Sequence, residues 1–123
     1  MVDTPIISLD ILATVMEAVG VSAPQSASLD GKSLLPLLRG ETTKHHEALF
    51  WSDGGSRGEW AVRKGDWKLL AYRSGILKLY NIAQDIQEQN DLARTHPDAV
   101  AVLRAKLVAW EKEMNVAKYS GVQ

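Results

Sequence analysis

Residues 60–72 read Trp60-Ala-Val-Arg-Lys-Gly-Asp-Trp-Lys-Leu-Leu-Ala-Tyr72, a pattern that predicts a tight β-hairpin. On both sides of the run Lys64-Gly-Asp66, apolar and aromatic side chains alternate with their neighbours. This period of two is typical of strands with one buried face. Gly65 suits the turn because glycine adopts positive φ without a steric penalty. The hairpin is a packing element, and its residues carry no pattern typical of a catalytic site.

Segments on either side of the hairpin extend the predicted sheet. Ala48-Leu-Phe-Trp51 is a short apolar run upstream, and Ile76-Leu-Lys-Leu-Tyr-Asn-Ile82 follows a turn downstream. Further on, apolar residues recur with the spacing of one buried helix face at Leu103, Leu107, Trp110 and Met114. Charged residues between them, including Glu111, are expected to face water. The predicted fold class is α+β, an antiparallel meander of about four strands packed against a C-terminal helix.

Another helix is predicted near the start of the chain, with Ser8 as its N-cap and Gly20 just beyond its end. Asp10, Thr14 and Glu17 form one narrow polar stripe, and most of the remaining circumference is apolar. A surface helix of a small domain buries a narrower face than this. We therefore expect the helix to need partners on more than one side. The alternative is a central helix of a small independent fold.

Composition excludes several classes of protein. The chain has 123 residues, a net charge of −1 and no cysteine. Disulfides, thiolate metal sites and a cysteine nucleophile are therefore absent, and the charge gives no reason to expect nucleic acid binding. The first residues lack the basic and apolar regions of a signal peptide, and no apolar run approaches the roughly 20 residues that span a bilayer.

The histidines of the predicted loop at 41–47 are weak candidates for chemistry. His45 and His46 are adjacent, and no other residue stands at a typical metal-ligand spacing from them. Together with Ser52 and Asp53 they offer the residue types of a catalytic triad, but no nucleophile elbow surrounds the serine. The sequence therefore predicts solvated loop histidines, with no catalytic residue and no metal ligand in this chain.

Acidic residues gather between the predicted sheet and the last helix. Asp85, Glu88 and Asp91 lie around Asn90, but the Asp-x-Asx-x-Asx-Gly pattern of an EF-hand is absent. Asx side chains often cap backbone groups in such segments. A hydrogen-bonded turn is therefore predicted here, in preference to a calcium site.

Four segments, in order, match motifs of one enzyme family. Residues 8–20 follow S-x-x-D-L-x-P-T-L-L-x-x-A-G, and residues 29–40 follow D-G-x-S-L-L-P-L-L-x-G. Residues 61–69 follow A-V-R-x-G-D-W-K-L, and residues 79–93 follow L-Y-D-L-x-x-D-P-x-E-x-x-N-L-A with one inserted residue. In this ordered set the chain resembles the C-terminal end of type I sulfatases, the arylsulfatase-like branch of the alkaline phosphatase superfamily.

The resemblance implies that the chemistry lies outside this chain. The family's nucleophile is a formylglycine made in a C/S-x-P-x-R motif, and a divalent ion such as calcium is held beside it. Those motifs lie upstream of the matched region, and none occurs here. The departures at Ala13, Asn81 and Ile86 affect helix entry and turn stiffness. By the resemblance, residues 1–40 are the last helix and connecting segment of a large α/β catalytic domain missing from this chain, and 41–123 are the C-terminal subdomain.

The expected function is that of a sulfatase subdomain, inert alone, which packs on the catalytic domain and shapes the rim of its substrate pocket. The parent reaction would be hydrolysis of sulfuric esters, including those of sulfated sugars. The candidate rim residues are Asp53, Ser56 and Arg57, in a loop between two predicted strands. A freestanding binding or assembly module, or part of a phosphatase or phosphonate-ester hydrolase, is the alternative. The exposed first helix would favour a homodimer, and the family suggests a periplasmic, secreted or lysosomal location.

Overall fold

The computed structural model describes residues 3–24, 29–53 and 58–114. Its contacts divide the chain into two compact units, Met1–Glu47 and Ala48–Gln123. Within the described ranges, no helix combines the length and the apolarity needed to cross a membrane.

The second unit is a four-stranded antiparallel meander with a long helix against it, as the sequence predicts. In chain order the elements are β1 (Leu49–Ser52), β2 (Glu59–Lys64), β3 (Trp67–Tyr72), β4 (Leu77–Asn81) and α3 (Pro97–Met114). The strands are adjacent in the order β1-β2-β3-β4. Each strand therefore pairs with its neighbour in the sequence, which is the topology with the shortest connections.

The register of β2 and β3 places their apolar residues on one buried face. Val62 pairs with Leu69, and the last pair of the ladder leaves only Gly65 and Asp66 in the turn. Gly65 has a φ of 57°, the left-handed conformation for which glycine is suited. The core that results consists of Trp60, Val62, Leu69, Ala71, Leu79, Leu103 and Leu107.

Helix α3 covers the sheet with a face that differs in part from the predicted one. Leu103 and Leu107 are buried in the core, and the ring of Trp110 stacks on Phe50 at 5.2 Å. Met114 is 41% exposed, whereas Glu111, expected to face water, is only 6% exposed. The physical reason is helical geometry, since position 111 follows 103 and 107 at intervals of four and shares their face.

In the first unit, α1 (Leu9–Ala18) and α2 (Leu35–Leu38) are joined by a polar contact. The Thr14 hydroxyl donates to the Asp10 carbonyl at 2.6 Å and accepts the Leu34 N–H at 2.9 Å. Helix α1 ends as predicted at Gly20, which has a φ of 71°, and the Val21 N–H donates to the Met16 carbonyl in the pattern of a Schellman cap.

Candidate functional site

A buried cluster of one carboxylate and two imidazoles occupies the first unit. Asp10 lies in the first turn of α1 and is fully buried, and His45 and His46 come from the segment before β1. The side chains of His45 and His46 are 5% and 10% exposed. His46 Nε2 lies 2.8 Å from Asp10 Oδ1, and His45 Nε2 lies 3.2 Å from Asp10 Oδ2. Each carboxylate oxygen thus faces one imidazole nitrogen.

Backbone groups hold the Asp10 carboxylate in place. The Ile7 N–H donates to Oδ2 at 3.0 Å, and the Lys32 N–H donates to Oδ1 at 2.9 Å. Burial on its own would raise the pKa of Asp10, but these two hydrogen bonds and the contact with His46 outweigh it and lower that pKa. The carboxyl group is therefore an anion with an orientation fixed by the main chain.

Close backbone packing brings the Lys32 N–H to Asp10. A Cβ on the preceding residue, Gly31, would lie 2.1 Å from the Leu9 carbonyl oxygen, so only glycine fits against the start of α1. The Lys32 ammonium also donates to the His45 carbonyl at 3.4 Å. Lys32 therefore contacts both Asp10 and His45.

One imidazole nitrogen in the cluster lacks a hydrogen bond. His45 Nε2 is within ion-pair distance of Asp10, yet their geometry does not make a hydrogen bond, and this buried atom has no other such partner among the described residues. The rings of His45 and His46 meet edge to face with their centres 4.4 Å apart. The nitrogen is thus directed at a carboxylate that it approaches without bonding.

The sequence prediction of solvated loop histidines is wrong on this point. His46 and its carboxylate partner are 36 residues apart in the sequence, and a search for local ligand spacing does not detect such a pair. The available signal was weaker: Asp10 lies in the first turn of the helix, where the helix dipole by itself favours a negative charge.

The acidic segment after β4 is a hydrogen-bonded turn, as predicted. Asp85 Oδ2 accepts the Asn90 N–H at 2.7 Å, and Asp91 Oδ1 accepts the N–H groups of Leu79 and Ala93 at 3.0 and 2.9 Å. Glu88 pairs with Lys68. These carboxylates are engaged with groups of the protein itself, as expected for a hydrogen-bonded turn.

The candidate rim loop is only partly described. Asp53 is half-buried at the end of β1, whereas Ser56 and Arg57 lie outside the described residues. The Asp53 N–H donates to the Glu59 carbonyl at 3.3 Å, and the Arg73 N–H donates to the Gly58 carbonyl at 2.8 Å. Both ends of the loop are thus attached to the sheet.

Helix α1 has an inverted arrangement, with a polar residue buried and apolar residues exposed. Its polar residue Asp10 is buried. Four apolar residues of the helix and its C-cap residue are more than half exposed, namely Leu9, Ile11, Leu12, Val15 and Val19. At about 100° per residue, Leu12, Val15 and Val19 lie on the side of the helix opposite to Asp10, and Leu9 and Ile11 flank Asp10 on either side. We call Leu9, Ile11, Leu12, Val15 and Val19 the apolar α1 face. An open groove lined by Ala13, Met16, Val21 and Leu29 lies beside the helix.

Comparison with curated proteins identifies a sulfatase relative. Arylsulfatase K of Danio rerio is 30% identical in an alignment of 107 residues that covers 79% of this chain and 20% of the relative. No protein-family model matches the chain. The chain therefore spans about a fifth of the curated relative that it matches.

Solved structures share the fold at lower identity. A protein from a Bacteroides thetaiotaomicron locus for the metabolism of multiple glycosaminoglycans is 22% identical, with a TM-score of 0.66 over 84% of this chain and 24% of that one. A protein solved with its substrate D-glucosamine-2-N,6-O-disulfate is 21% identical, with a TM-score of 0.65 over 84% and 23%. The phosphonate monoester hydrolase of Agrobacterium radiobacter is 22% identical, with a TM-score of 0.51 over 79% and 24%.

The curated match and the shared fold agree with the four ordered motifs in the sequence. The chain is therefore similar to the C-terminal region of the arylsulfatase-like, type I sulfatases.

Proposed function

We propose that the chain is the C-terminal subdomain of a sulfatase and packs against the catalytic domain of that enzyme through the apolar α1 face. The observation that carries this proposal is the inverted arrangement of α1, with Asp10 fully buried and Ile11, Leu12, Val15 and Val19 more than half exposed. Exposed apolar patches of this kind mark surfaces that are covered in the working protein.

The extent of the match indicates which partner covers the apolar α1 face. The chain aligns with only 20% of arylsulfatase K and with about a quarter of the solved structures. By the resemblance, the rest of such a protein is a large domain whose motifs precede the α1 segment. A domain of that size in the same protein would supply the apolar surface that covers α1.

The second unit would form one rim of the substrate pocket. Its loop at 53–57 is attached to the sheet at both ends, through Asp53 and Gly58. Loops held by a rigid sheet commonly carry specificity. In this role Asp53, Ser56 and Arg57 would contact the substrate beyond its sulfate group, while the nucleophile and the metal ion would belong to the catalytic domain.

The reaction of the complete enzyme would be the hydrolysis of a sulfuric ester to an alcohol and sulfate. One structural neighbour was solved with a sulfated glucosamine as its substrate, which favours sulfated sugars as the substrate class. This chain contributes no cysteine and no Ser-x-Pro-x-Arg motif, so the isolated chain is expected to be inert.

The first test combines gene context with an assay. The coding sequence upstream of Met1 should contain an open frame with a C/S-x-P-x-R motif, and purified chain 1–123 should not hydrolyse an aryl sulfate. A true start codon and ribosome site at Met1 would support the freestanding module instead. Sulfatase turnover by the isolated chain would overturn the assignment of the chemistry to another domain.

The second test addresses the docking face in the longer protein. Replacing Leu12 and Val15 by glutamate places two charges in the proposed interface, and we expect soluble yield and sulfatase activity to fall at least about tenfold. Val102→Glu on the surface of α3 is the matched control, because Val102 is equally exposed but belongs to the other unit. Wild-type yield and activity in the double variant would contradict the docking role.

A phosphonate-ester hydrolase is the second candidate, favoured by the fold shared with the Agrobacterium enzyme. Assays of the longer protein with an aryl sulfate and an aryl phosphonate distinguish the two activities. Preference for the phosphonate would replace the sulfatase assignment and leave the docking role of α1 intact.

A further inference from the structure

We propose that Asp10, His45 and His46 bind one divalent transition-metal ion, with zinc as the ion that fits their chemistry best. This site is separate from the metal that the sulfatase resemblance implies for the catalytic domain. It lies wholly within the first unit, on residues 10–46.

The spacing of the donor atoms suits a small metal ion. One ligand atom from each of the three residues lies within 4.8 Å of the other two. The two measured distances from imidazole nitrogen to carboxylate oxygen are 2.8 and 3.2 Å. In a tetrahedral zinc site with bonds of about 2.0–2.1 Å, neighbouring ligand atoms are about 3.3 Å apart. The two contacts at 2.8 and 3.2 Å are already near this spacing, and a pair of ligand atoms as far as 4.8 Å apart would close by up to about 1.5 Å around one ion.

The donor types select the class of metal. Two imidazole nitrogens and one carboxylate oxygen form a set that zinc and related transition metals bind, whereas calcium and magnesium take oxygen ligands. Three protein ligands also leave a position for water. The cluster therefore differs in chemistry from the calcium site of the family.

The unpartnered nitrogen of His45 supports a metal site independently of the spacing of the ligand atoms. The side chain of His45 is 5% exposed, and its buried Nε2 lacks a hydrogen-bond partner among the residues that the structure describes. A buried polar atom without a partner destabilises a fold. A metal ion between this nitrogen and the carboxylate supplies the missing partner. A purely hydrogen-bonded cluster accounts for His46 but leaves the His45 nitrogen unexplained.

The surroundings of Asp10 resemble the support that metal ligands usually receive. The carboxylate accepts one backbone N–H on each oxygen, from Ile7 and Lys32. Outer hydrogen bonds of this kind orient a ligating carboxylate and leave a lone pair on each oxygen for the metal. A bound ion would connect the first turn of α1 to a segment 36 residues downstream, so metal binding would stabilise the first unit.

The experiment is a titration of tag-free, EDTA-treated full chain with zinc, followed by calorimetry, and with cobalt, followed by visible absorption. We expect one equivalent of metal and a cobalt spectrum without a thiolate band, because the chain has no cysteine. His45→Gln and His46→Gln should each weaken zinc binding by more than about tenfold. Removing a group that only hydrogen-bonds to a metal ligand already costs about that much affinity. His96→Gln is the control, since the third histidine is exposed and lies in the other unit.

Two results would overturn the proposal. One is that the wild type binds zinc no more tightly than the His45→Gln/His46→Gln double variant. The other is that His96→Gln loses as much zinc affinity as His45→Gln or His46→Gln. Circular dichroism establishes whether the variants fold. If they do not, long-range proton–nitrogen NMR of the wild type decides the matter, because coordination shifts the Nε2 signals of His45 and His46 and leaves that of His96 unchanged. Unshifted Nε2 signals at saturating zinc would also refute the site.

Discussion

His46 Nε2 lies 2.8 Å from Asp10 Oδ1, although the two residues are 36 positions apart in the sequence. The contact is buried and is part of a set in which the same carboxylate accepts the N–H groups of Ile7 and Lys32. Among the described residues of the first unit, Leu37 is the one buried apolar residue, at 5% exposure. The structure of the unit therefore depends to an unusual degree on polar contacts that converge on Asp10.

Asp10→Asn should destabilise the first unit. The new amide group would direct an N–H donor at a backbone N–H donor, from either Ile7 or Lys32, and one buried donor would lose its partner. The expected loss is about 1–3 kcal/mol in the free energy of unfolding. Urea denaturation followed by the NMR signals of α1 measures it, and Asp3→Asn on the exposed N-terminal segment is the control. Equal stability of the two variants would show that Asp10 is not the centre of the unit.

Gly31→Ala tests the close approach that brings Lys32 to Asp10. The added methyl group would lie 2.1 Å from the Leu9 carbonyl oxygen, which is backbone and cannot rotate away. We expect a loss of about 1–3 kcal/mol in the free energy of unfolding, as for other overpacked sites. Thermal unfolding measures the change, and Ser22→Ala in an exposed loop should leave the midpoint nearly unchanged. A wild-type midpoint for Gly31→Ala would mean that the segment can move away from α1.

The sequence alone predicted the meander of the second unit but not the buried cluster of the first. The meander followed from residues close in the chain, because Val62 and Leu69 alternate in phase around a two-residue turn. The Asp10–His46 pair has no such local signal, since loops 29–34 and 41–47 bring it together through backbone packing at Gly31. The burial of Glu111 was missed for a different reason, because we judged it by its charge and not by its position four residues after Leu107.

Leu107→Ala tests the core of the second unit. Leu107 has no exposed surface and packs among Trp60, Leu69 and Leu79 between α3 and the sheet. Truncation should cost about 2–5 kcal/mol in the free energy of unfolding through lost burial and a cavity. Val108→Ala is the matched control, since the neighbouring side chain is 41% exposed and should cost well under half as much. Similar losses at both positions, measured by urea denaturation, would place the helix in a different rotation on the sheet.

Asp85 should make the stability of the second unit depend on acid pH. Hydrogen bonds from the backbone N–H groups of Asn90 and Gln89 hold the pKa of Asp85 below its usual value of 3.8. Because the folded-state pKa is the lower one, the stabilisation is complete above the unfolded value and disappears as pH falls through the folded value. The Asp85→Asn amide oxygen accepts hydrogen bonds as a neutral group, so this variant should be less stable than wild type near neutral pH, with a difference that shrinks below about pH 4.

Thermal unfolding of wild type and Asp85→Asn between about pH 7 and pH 3 measures this difference, and NMR titration of the Asp85 carboxyl carbon assigns it to the residue. Glu113→Gln on the exposed surface of α3 controls for the general effect of removing a carboxylate. A difference between wild type and Asp85→Asn that stays constant over the whole range would contradict the prediction. It would indicate that the turn depends on the shape of the side chain and not on its charge. A charged carboxylate accepts stronger hydrogen bonds than a neutral amide, so a contribution from charge must disappear when Asp85 is protonated.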